Sequence, residues 1–510
     1  MKDRKHQQPL TRQIIRAIFI LLALLPFALG GLAAIHFFTS YGRHKLISIA
    51  TYALFFIMLL LLLRTATSKM SEPALLLAIF SITIFIRAFS QVFLNTQPIS
   101  DYMDAVNAAI QFMPGPVREL ETARFPYWGF YRVTLTNLFR LFGNSIANIK
   151  IMNLLLSGCT AISMFLLGKI MTGSRKFGFL AATIYMADLA DILYINLPTG
   201  EHIFTMLFPI VCISFLAIFN HPDRKTAGQV GFAILLGILI GLMDMYKPVG
   251  IILLIAMLIT LALIEWLPKK RNNESAKRRK QLLTHGLLVV LILTAYFTTK
   301  EVGFSVVSYY AQVKANRHGI GWTLRVGLNM KTNGRVSSSL AYEMGRLYAE
   351  TNENYQLASS YLMEDALYQI RGQNIGTIFN FVREKFSFTW KSNQDFYNWA
   401  SNTQMESGLM AYDADRLALL VDPLNDAFLL FSLAFAFIGA VYCAIQCTDK
   451  GSLTIGLFIL GFALLLLAVE VQQRYRSILA SSIPFFCTYG LYALSDVVST
   501  IGKRITKTVK

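Results

Sequence analysis

Charged residues are scarce in this chain of 510 residues: Asp, Glu, Lys and Arg together make up 15% of it, against roughly 25% in soluble domains. A soluble protein of this length needs far more polar surface to cover its core. The shortage excludes an ordinary cytosolic enzyme. With 55% apolar residues, it also excludes a disordered chain. Cysteine is scarce too. Cys159, Cys212, Cys443, Cys447 and Cys487 all sit in apolar runs and read as small buried hydrophobes, not as a disulfide framework. Cys443 and Cys447 lie one helical turn apart, but no His or carboxylate close in sequence completes a zinc site. There is no phosphate-binding glycine loop and no dinucleotide fingerprint. Repeats and low-complexity tracts are also missing, which excludes fibrous and solenoid architectures.

Long apolar runs dominate instead. A bilayer span needs about 20 apolar residues. Twelve segments qualify: 14–38, 46–63, 74–94, 148–171, 177–195, 200–219, 228–246, 248–267, 282–299, 426–447, 452–470 and 478–498. The chain is therefore expected to be an all-α polytopic membrane protein of about twelve transmembrane helices. The first run follows the basic residues Lys2, Arg4, Lys5, Arg12 and Arg16, but it is too long for a signal peptide and lacks a small-residue cleavage site. Two stretches are too polar to span, 95–147 and 300–425.

The net charge of +18, from 47 basic and 29 acidic residues, is distributed unevenly. With the N-terminus in the cytoplasm, alternate loops collect the cations: Arg64 and Lys69; Lys169, Arg175 and Lys176; Arg224 and Lys225; the 268–281 loop; Lys450; and the tail. The opposite short turns hold few, chiefly Arg43, Lys45, Lys247, Arg474 and Arg476. This is the positive-inside pattern. Topology and anionic lipid thus account for the basic charge, and no nucleic-acid partner is implied. Lys269-Lys270-Arg271 and Lys277-Arg278-Arg279-Lys280 read as a cytoplasmic stop-transfer loop.

Both polar stretches then face outward. The first contains Pro114, Gly115, Pro116 and Pro126, and its piece 130–143 reads as a helix along the interface. The second, mostly helical, carries Phe386, Phe388, Trp390, Phe396, Tyr397 and Trp399, which suit packing on a membrane surface or stacking on sugars. Charged groups at membrane depth are costly. Most of them gather at the outer ends of spans: Asp101 and Asp104; Asp188 and Asp191; Glu201 and His202; Asp244, Tyr246 and Lys247; Lys300 and Glu301; Glu470, Arg474 and Arg476. A carboxylate at such a boundary takes a proton from an attacking hydroxyl or amine. A cation beside it stabilises a departing phosphate. A groove between helices holds a lipid tail. These are the parts needed to move a sugar from a lipid-phosphate carrier to an outside acceptor.

Several motifs carry a family resemblance. Pro98-Ile99-Ser100-Asp101-Tyr102 resembles the first outer loop of GT-C membrane glycosyltransferases, which include protein O-mannosyltransferase and aminoarabinose transferase relatives. Arg124-Phe125-Pro126-Tyr127-Trp128-Gly129 leads into a helix ending Leu141-Phe142-Gly143-Asn144-Ser145. Pro198-Thr199-Gly200-Glu201-His202, Tyr246-Lys247-Pro248, Gly327-Leu328-Asn329 with Asn333-Gly334-Arg335, and Glu470-Val471-Gln472-Gln473-Arg474-Tyr475-Arg476 follow in the family's order. The resemblance covers most of 74–500. It implies two extra N-terminal spans (1–73), a GT-C-like core (74–299) with a catalytic outer loop (95–147), an extracytoplasmic segment (300–425), and C-terminal spans with a basic cytoplasmic tail (426–510).

The family transfers sugar from a polyprenyl- or dolichyl-phosphate donor with inversion. By resemblance, Asp101 is the base that activates the acceptor and Glu201 a second acid. Arg474, with Lys247 and Arg476, holds the donor phosphate. Asp104, Arg124, Glu470 and Tyr475 are further candidates for substrate binding. The expected partners are the polyprenyl-phosphate-linked donor, an extracytoplasmic acceptor (surface glycan, glycolipid or protein) and membrane lipid. No cofactor is assigned. Asp101 and Asp104 fall on one helical face, which leaves a divalent metal open. The Asp188/Asp191 pair stands where relatives more often have proline.

Each candidate also has a plainer role. Asp101 suits a helix N-cap, and Glu201 a first-turn acid favoured by the helix dipole. Arg474 and Arg476 suit an outer charged turn. Asp188 and Asp191 suit pairing with Arg87 or Lys150 inside the bundle, and Arg87 itself suits snorkelling. His202 suits a packed polar residue, and His318 has no metal partner nearby in sequence. Three other functions compete: a flippase for lipid-linked sugars, a ligase or polymerase of surface polysaccharide, and a non-enzymatic scaffold. A flippase requires charges along the middle of several helices, whereas here they lie at one boundary.

Overall fold

The computed structural model describes residues 9–41, 44–65, 70–94, 98–220, 226–266, 275–317, 319–401, 414–446 and 449–508. Lys2, Arg4, Lys5, Arg43, Lys69, Arg224, Lys225, Lys269-Lys270-Arg271, His318 and Cys447 lie outside the described residues. Those described form helices and turns without a strand. The membrane region opens with α1 (Pro9–Leu22) and α2 (Gly30–Phe38), joined by a π-helical stretch that contains Pro26. It continues with α3 (His44–Thr65) and α4 (Glu72–Leu94). A polar excursion follows: α5 (Ser100–Phe112), α6 (Leu120–Arg124) and α7 (Pro126–Phe142). The bundle resumes with α8 (Ile146–Thr172), α9 (Arg175–Met186), α10 (Leu189–Tyr194), α11 (Glu201–Phe219), α12 (Thr226–Tyr246), α13 (Gly250–Leu261) and α14 (Ser275–Ala311). The second excursion is α15 (Ile320–Gly327), α16 (Ser338–Glu350), α17 (Tyr355–Arg371), α18 (Ile375–Trp390) and α19 (Gln394–Ser401). The chain closes with α20 (Ala414–Gln446), α21 (Lys450–Ala468), a 3-10 turn (Gln473–Leu479) and α22 (Ile483–Thr508).

Among the described residues, nine helices are long and apolar enough to cross a bilayer, each matching one of the twelve expected spans. The other three are helical but depart from a simple rod. Expected span 177–195 is divided because Asp188 starts a new helix: its carboxylate accepts from the Ala190 and Asp191 amides at 3.1 and 3.4 Å. Expected span 248–267 is the shorter apolar helix Gly250–Ile264. Expected span 478–498 is part of a helix pair bent by 68°, Gln473–Leu479 with Ile483–Thr500. Together these make the protein an all-helical, polytopic membrane protein. Leu46, Leu54, Leu77, Phe85 and Phe89 expose large apolar side chains on α3 and α4, as lipid-facing surfaces do. Inward, Phe56 of α3 stacks on Phe435 of α20 with ring centroids 4.4 Å apart.

The expected boundaries of the second polar segment move inward. α14 runs through Lys300 to Ala311, and α20 begins at Ala414, before residue 425. Lys300 is accommodated because it pairs with Asp244 of α12 at 2.7 Å. Both polar excursions lie at the same end of the bundle and share one small core: Ala123 of α6 packs with Ala311, Trp322, Leu340, Met344 and Tyr348. The expected interfacial helix is α7, and it packs against α5, α12 and α14. The opposite end carries the pairs Lys169–Glu72 at 2.7 Å and Arg175–Glu72 at 3.2 Å, and Lys450 donating to the Phe219 carbonyl at 2.6 Å.

Candidate active site

Ser100 opens α5 with φ at +51°, in the left-handed region that non-glycine residues seldom enter. Asp101 follows in the first turn. It does not cap the helix: the N-cap is Ile99, which makes no side-chain cap bond. Its carboxylate instead lies 3.6 Å from Arg474 Nη2, with Asp101 42% exposed and Arg474 8% exposed. Asp101 is thus the open member of the pair and Arg474 the enclosed one.

Arg474 is held on three sides. Nη1 donates to the Tyr102 hydroxyl at 2.5 Å and Nε to Gln472 Oε1 at 2.5 Å. The Trp399 ring covers the guanidinium at 4.4 Å. A separation of 3.6 Å is too long for a hydrogen bond, so Asp101 and the Nη2 edge are paired by charge alone. Tyr102 in turn reaches the Tyr194 hydroxyl at 3.3 Å. Burial pushes the Tyr102 phenol up to about 12, with Arg474 pulling it down and Glu201 pushing it up. It therefore stays protonated at neutral pH.

A second pair lies alongside. α11 begins with Glu201 where its neighbour α12 ends, and the glycine at 200 permits the approach: a Cβ there would sit 3.1 Å from the Tyr246 carbonyl. Lys247 Nζ donates to Glu201 Oε1 at 2.6 Å and lies 4.6 Å from the centre of the Tyr475 ring. The Tyr475 hydroxyl donates to Glu470 Oε1 at 3.0 Å, and Gln472 Nε2 donates to the same oxygen at 2.6 Å. Asp101, Arg474, Gln472, Glu470, Tyr475, Lys247 and Glu201 therefore form one continuous polar chain at the end that carries both polar segments.

Three site candidates, Arg124, Arg476 and Asp104, fall outside it, and Asp191 and His202 keep structural roles. Arg124 pairs with Glu121 at 3.1 Å and lies over the Tyr348 ring at 4.6 Å, tying α6 to α16. Arg476 donates to the Ser392 carbonyl at 2.5 Å and to Asn393 Oδ1 at 2.7 Å, facing the α18–α19 turn rather than Arg474. Asp104 is exposed one turn beyond Asp101. Asp191 pairs with buried Arg87 at 2.6 Å, as expected of a structural ion. His202 Nε2 lies 3.1 Å from the Leu197 carbonyl, a packed polar residue. The aromatic run of the second polar segment is mostly core. Trp390, Phe396 and Tyr397 are buried, which overturns their expected exposure to membrane or sugar, and Trp399 alone joins the site.

Tyr102, Gln472 and Tyr127 carry no individual role in the sequence reading, and Trp399 appears there only as one of the aromatic run. Tyr127 sits in the electrostatic reach of the chain. Burial first, then Glu470, Glu201 and Asp101, push its phenol above the ordinary range. The sequence signals are that Tyr102, Tyr127 and Gln472 stand inside the quoted motifs and Trp399 in the aromatic run. Among the described residues, no three His, Cys, Asp or Glu side chains converge to hold a metal. Arg474 beside Asp101 places a positive charge where a divalent cation would meet that carboxylate.

No protein-family model matches the chain, and no curated protein matches it. Two solved structures are similar. One is the archaeal oligosaccharyltransferase AglB from Archaeoglobus fulgidus, in complex with an inhibitory peptide and a dolichol-phosphate, at 12% identity and a TM-score of 0.42, covering 85% of this chain and 52% of that one. The other is ArnT from Cupriavidus metallidurans bound to undecaprenyl phosphate, at 13% identity and a TM-score of 0.32, covering 83% of this chain and 77% of that one. This chain spans about half the length of the archaeal protein. Identities this low transfer no residue role.

Proposed function

We propose that this protein is an integral membrane glycosyltransferase that moves a sugar from a polyprenyl-phosphate carrier to an extracytoplasmic acceptor. The reading rests on one observation above all: an open carboxylate, Asp101, stands 3.6 Å from an enclosed guanidinium, Arg474. In the proposed displacement, the acceptor hydroxyl or amine gives its proton to Asp101. The freed electron pair attacks the anomeric carbon from the face opposite the carrier. The bond from that carbon to the phosphate oxygen breaks, which inverts the centre. The phosphate leaves on its lipid, held by the Nη2 edge of Arg474 and by Lys247. Glu201 and Glu470 hold Lys247 and Tyr475 in place. The basic end faces the cytoplasm, so the site faces outward.

The test uses purified full-length protein, a polyprenyl-phosphate sugar and candidate acceptors. Asp101→Asn and Asp101→Ala lower turnover by at least about a hundredfold, the ordinary contribution of a general base. Arg474→Lys loses at least about tenfold because one ammonium cannot reproduce the guanidinium's fixed fork of donors. Full turnover in both Asp101 variants sinks the assignment. Passage of intact lipid-linked sugar across vesicles without transfer favours a flippase instead.

A further inference from the structure

We propose that Lys385 is a positioning residue for the site proposed above: by joining the ends of two helices it clamps the second polar segment onto the non-helical stretch that carries Glu470 and Gln472 and leads into the 3-10 turn of Arg474. This rests on the transferase reading for its link to activity, but its structural half stands apart from that reading. Lys385 belongs to α18 and has no solvent exposure. Among the described residues it makes no ion pair within 4 Å. It instead donates to the Gly327 carbonyl at 2.5 Å and to the Leu467 carbonyl at 2.9 Å. Both carbonyls lie at helix C-termini, α15 ending at Gly327 and α21 at Ala468. The last carbonyls of a helix lack intrahelical partners and carry the negative end of its dipole. The buried Lys385 Nζ satisfies two such ends at once.

The clamp is close-fitting. A Cβ on Gly327 would come 2.2 Å from the Val469 carbonyl carbon, so only glycine lets α15 lie against the end of α21. From there the backbone is gripped residue by residue. The Glu470 amide donates to the Thr323 carbonyl at 3.1 Å, and the Val471 amide to the Gly334 carbonyl at 3.0 Å. Gln473 and Asp395 exchange two bonds: Gln473 N donates to Asp395 Oδ2 at 3.0 Å, and Asp395 N to Gln473 Oε1 at 3.2 Å. The chain between α21 and the 3-10 turn has no helix of its own here. Its course, and hence the aim of Glu470 and Arg474, is set by the segment that Lys385 pins.

The experiment compares the full-length protein in lipid nanodiscs with Lys385→Met and Lys385→Arg. Amide hydrogen exchange is read on peptides covering 468–473 and, as a control, on α20 and α22. In Lys385→Met, Glu470 and Val471 exchange at least about tenfold faster while the control helices are unchanged. Turnover falls about tenfold with the donor KM within about twofold, and Lys385→Arg recovers most of it. Unchanged exchange at 468–473, or faster exchange with unaltered kcat, overturns the proposal. If Lys385→Met does not fold, Lys385→Gln, which keeps one donor, is read by the same criteria. If the wild type shows no transfer at all, the transferase reading fails while exchange still decides the clamp.

Discussion

Glu201 and Lys247 meet at 2.6 Å although 46 positions separate them in the chain. They meet because α11 starts and α12 ends at the same level, and the backbones approach at Gly200. The pair is mostly enclosed, at 9% and 16% side-chain exposure. Removing one partner leaves the other charge poorly solvated. Glu201→Gln and Lys247→Met therefore each lower transfer by at least about tenfold, and the double variant is no worse than Lys247→Met alone, because residues of one unit do not add. The measurement is kcat and donor KM for the four proteins. Strictly additive losses would show that the two side chains act apart.

Much of this arrangement is legible without coordinates. Hydropathy marks where helices run, and the positive-inside pattern sorts their ends, so Asp101, Glu201, Lys247 and Arg474 come out at one boundary. Their pairing is not legible there: Glu201 and Lys247 meet because their helices are neighbours, and Asp101 and Arg474 come from a short helix and a 3-10 turn far apart in the chain. The failures have physical causes. Arg124 and Arg476 carry the same charge as Arg474, but their partners, Tyr348 and the 392–393 turn, belong to a segment whose docking no periodicity records. Residues 177–195 look like one apolar run, yet Asp188 can cap only a helix that begins after it. Lys385 sits in a segment assigned to the outside, where a lone lysine reads as solvated. Its burial arises only when α15 and α21 arrive from elsewhere in the chain.

Arg87 and Asp191 supply a prediction about stability rather than catalysis. Arg87 is fully buried, Asp191 is 5% exposed, and they meet at 2.6 Å, with Arg87 also 4.7 Å from the Tyr185 ring centre. Breaking a buried pair costs roughly 3–5 kcal/mol, whereas replacing both ions with apolar residues is often close to neutral. Arg87→Leu and Asp191→Leu alone each lower the unfolding midpoint in detergent markedly, and the double variant recovers most of the loss. Neither residue touches the Asp101–Glu201 chain, so folded double variant retains near wild-type turnover. A double variant as unstable as the worse single one would contradict this account.

Lys385 makes stability depend on pH with a definite sign. Burial, partly offset by Glu470, lowers its ammonium from the usual 10.5 to about 7. Below about 7 the lysine is charged in both folded and unfolded chains, and the full burial cost is present. Between about 7 and 10.5 the folded protein has released the proton while the unfolded chain still holds it. Unfolding then takes up a proton, so stability rises with pH across this window and levels off above it. The gain is on the order of a few kcal/mol. Other groups titrate in the same range, so the decisive quantity is the difference between wild type and Lys385→Met. Subtracting the variant's melting temperatures from those of the wild type leaves a rise from pH 7 to 10, because methionine has no proton to release. Parallel curves would mean that the amine titrates in its ordinary range and is not enclosed between Gly327 and Leu467.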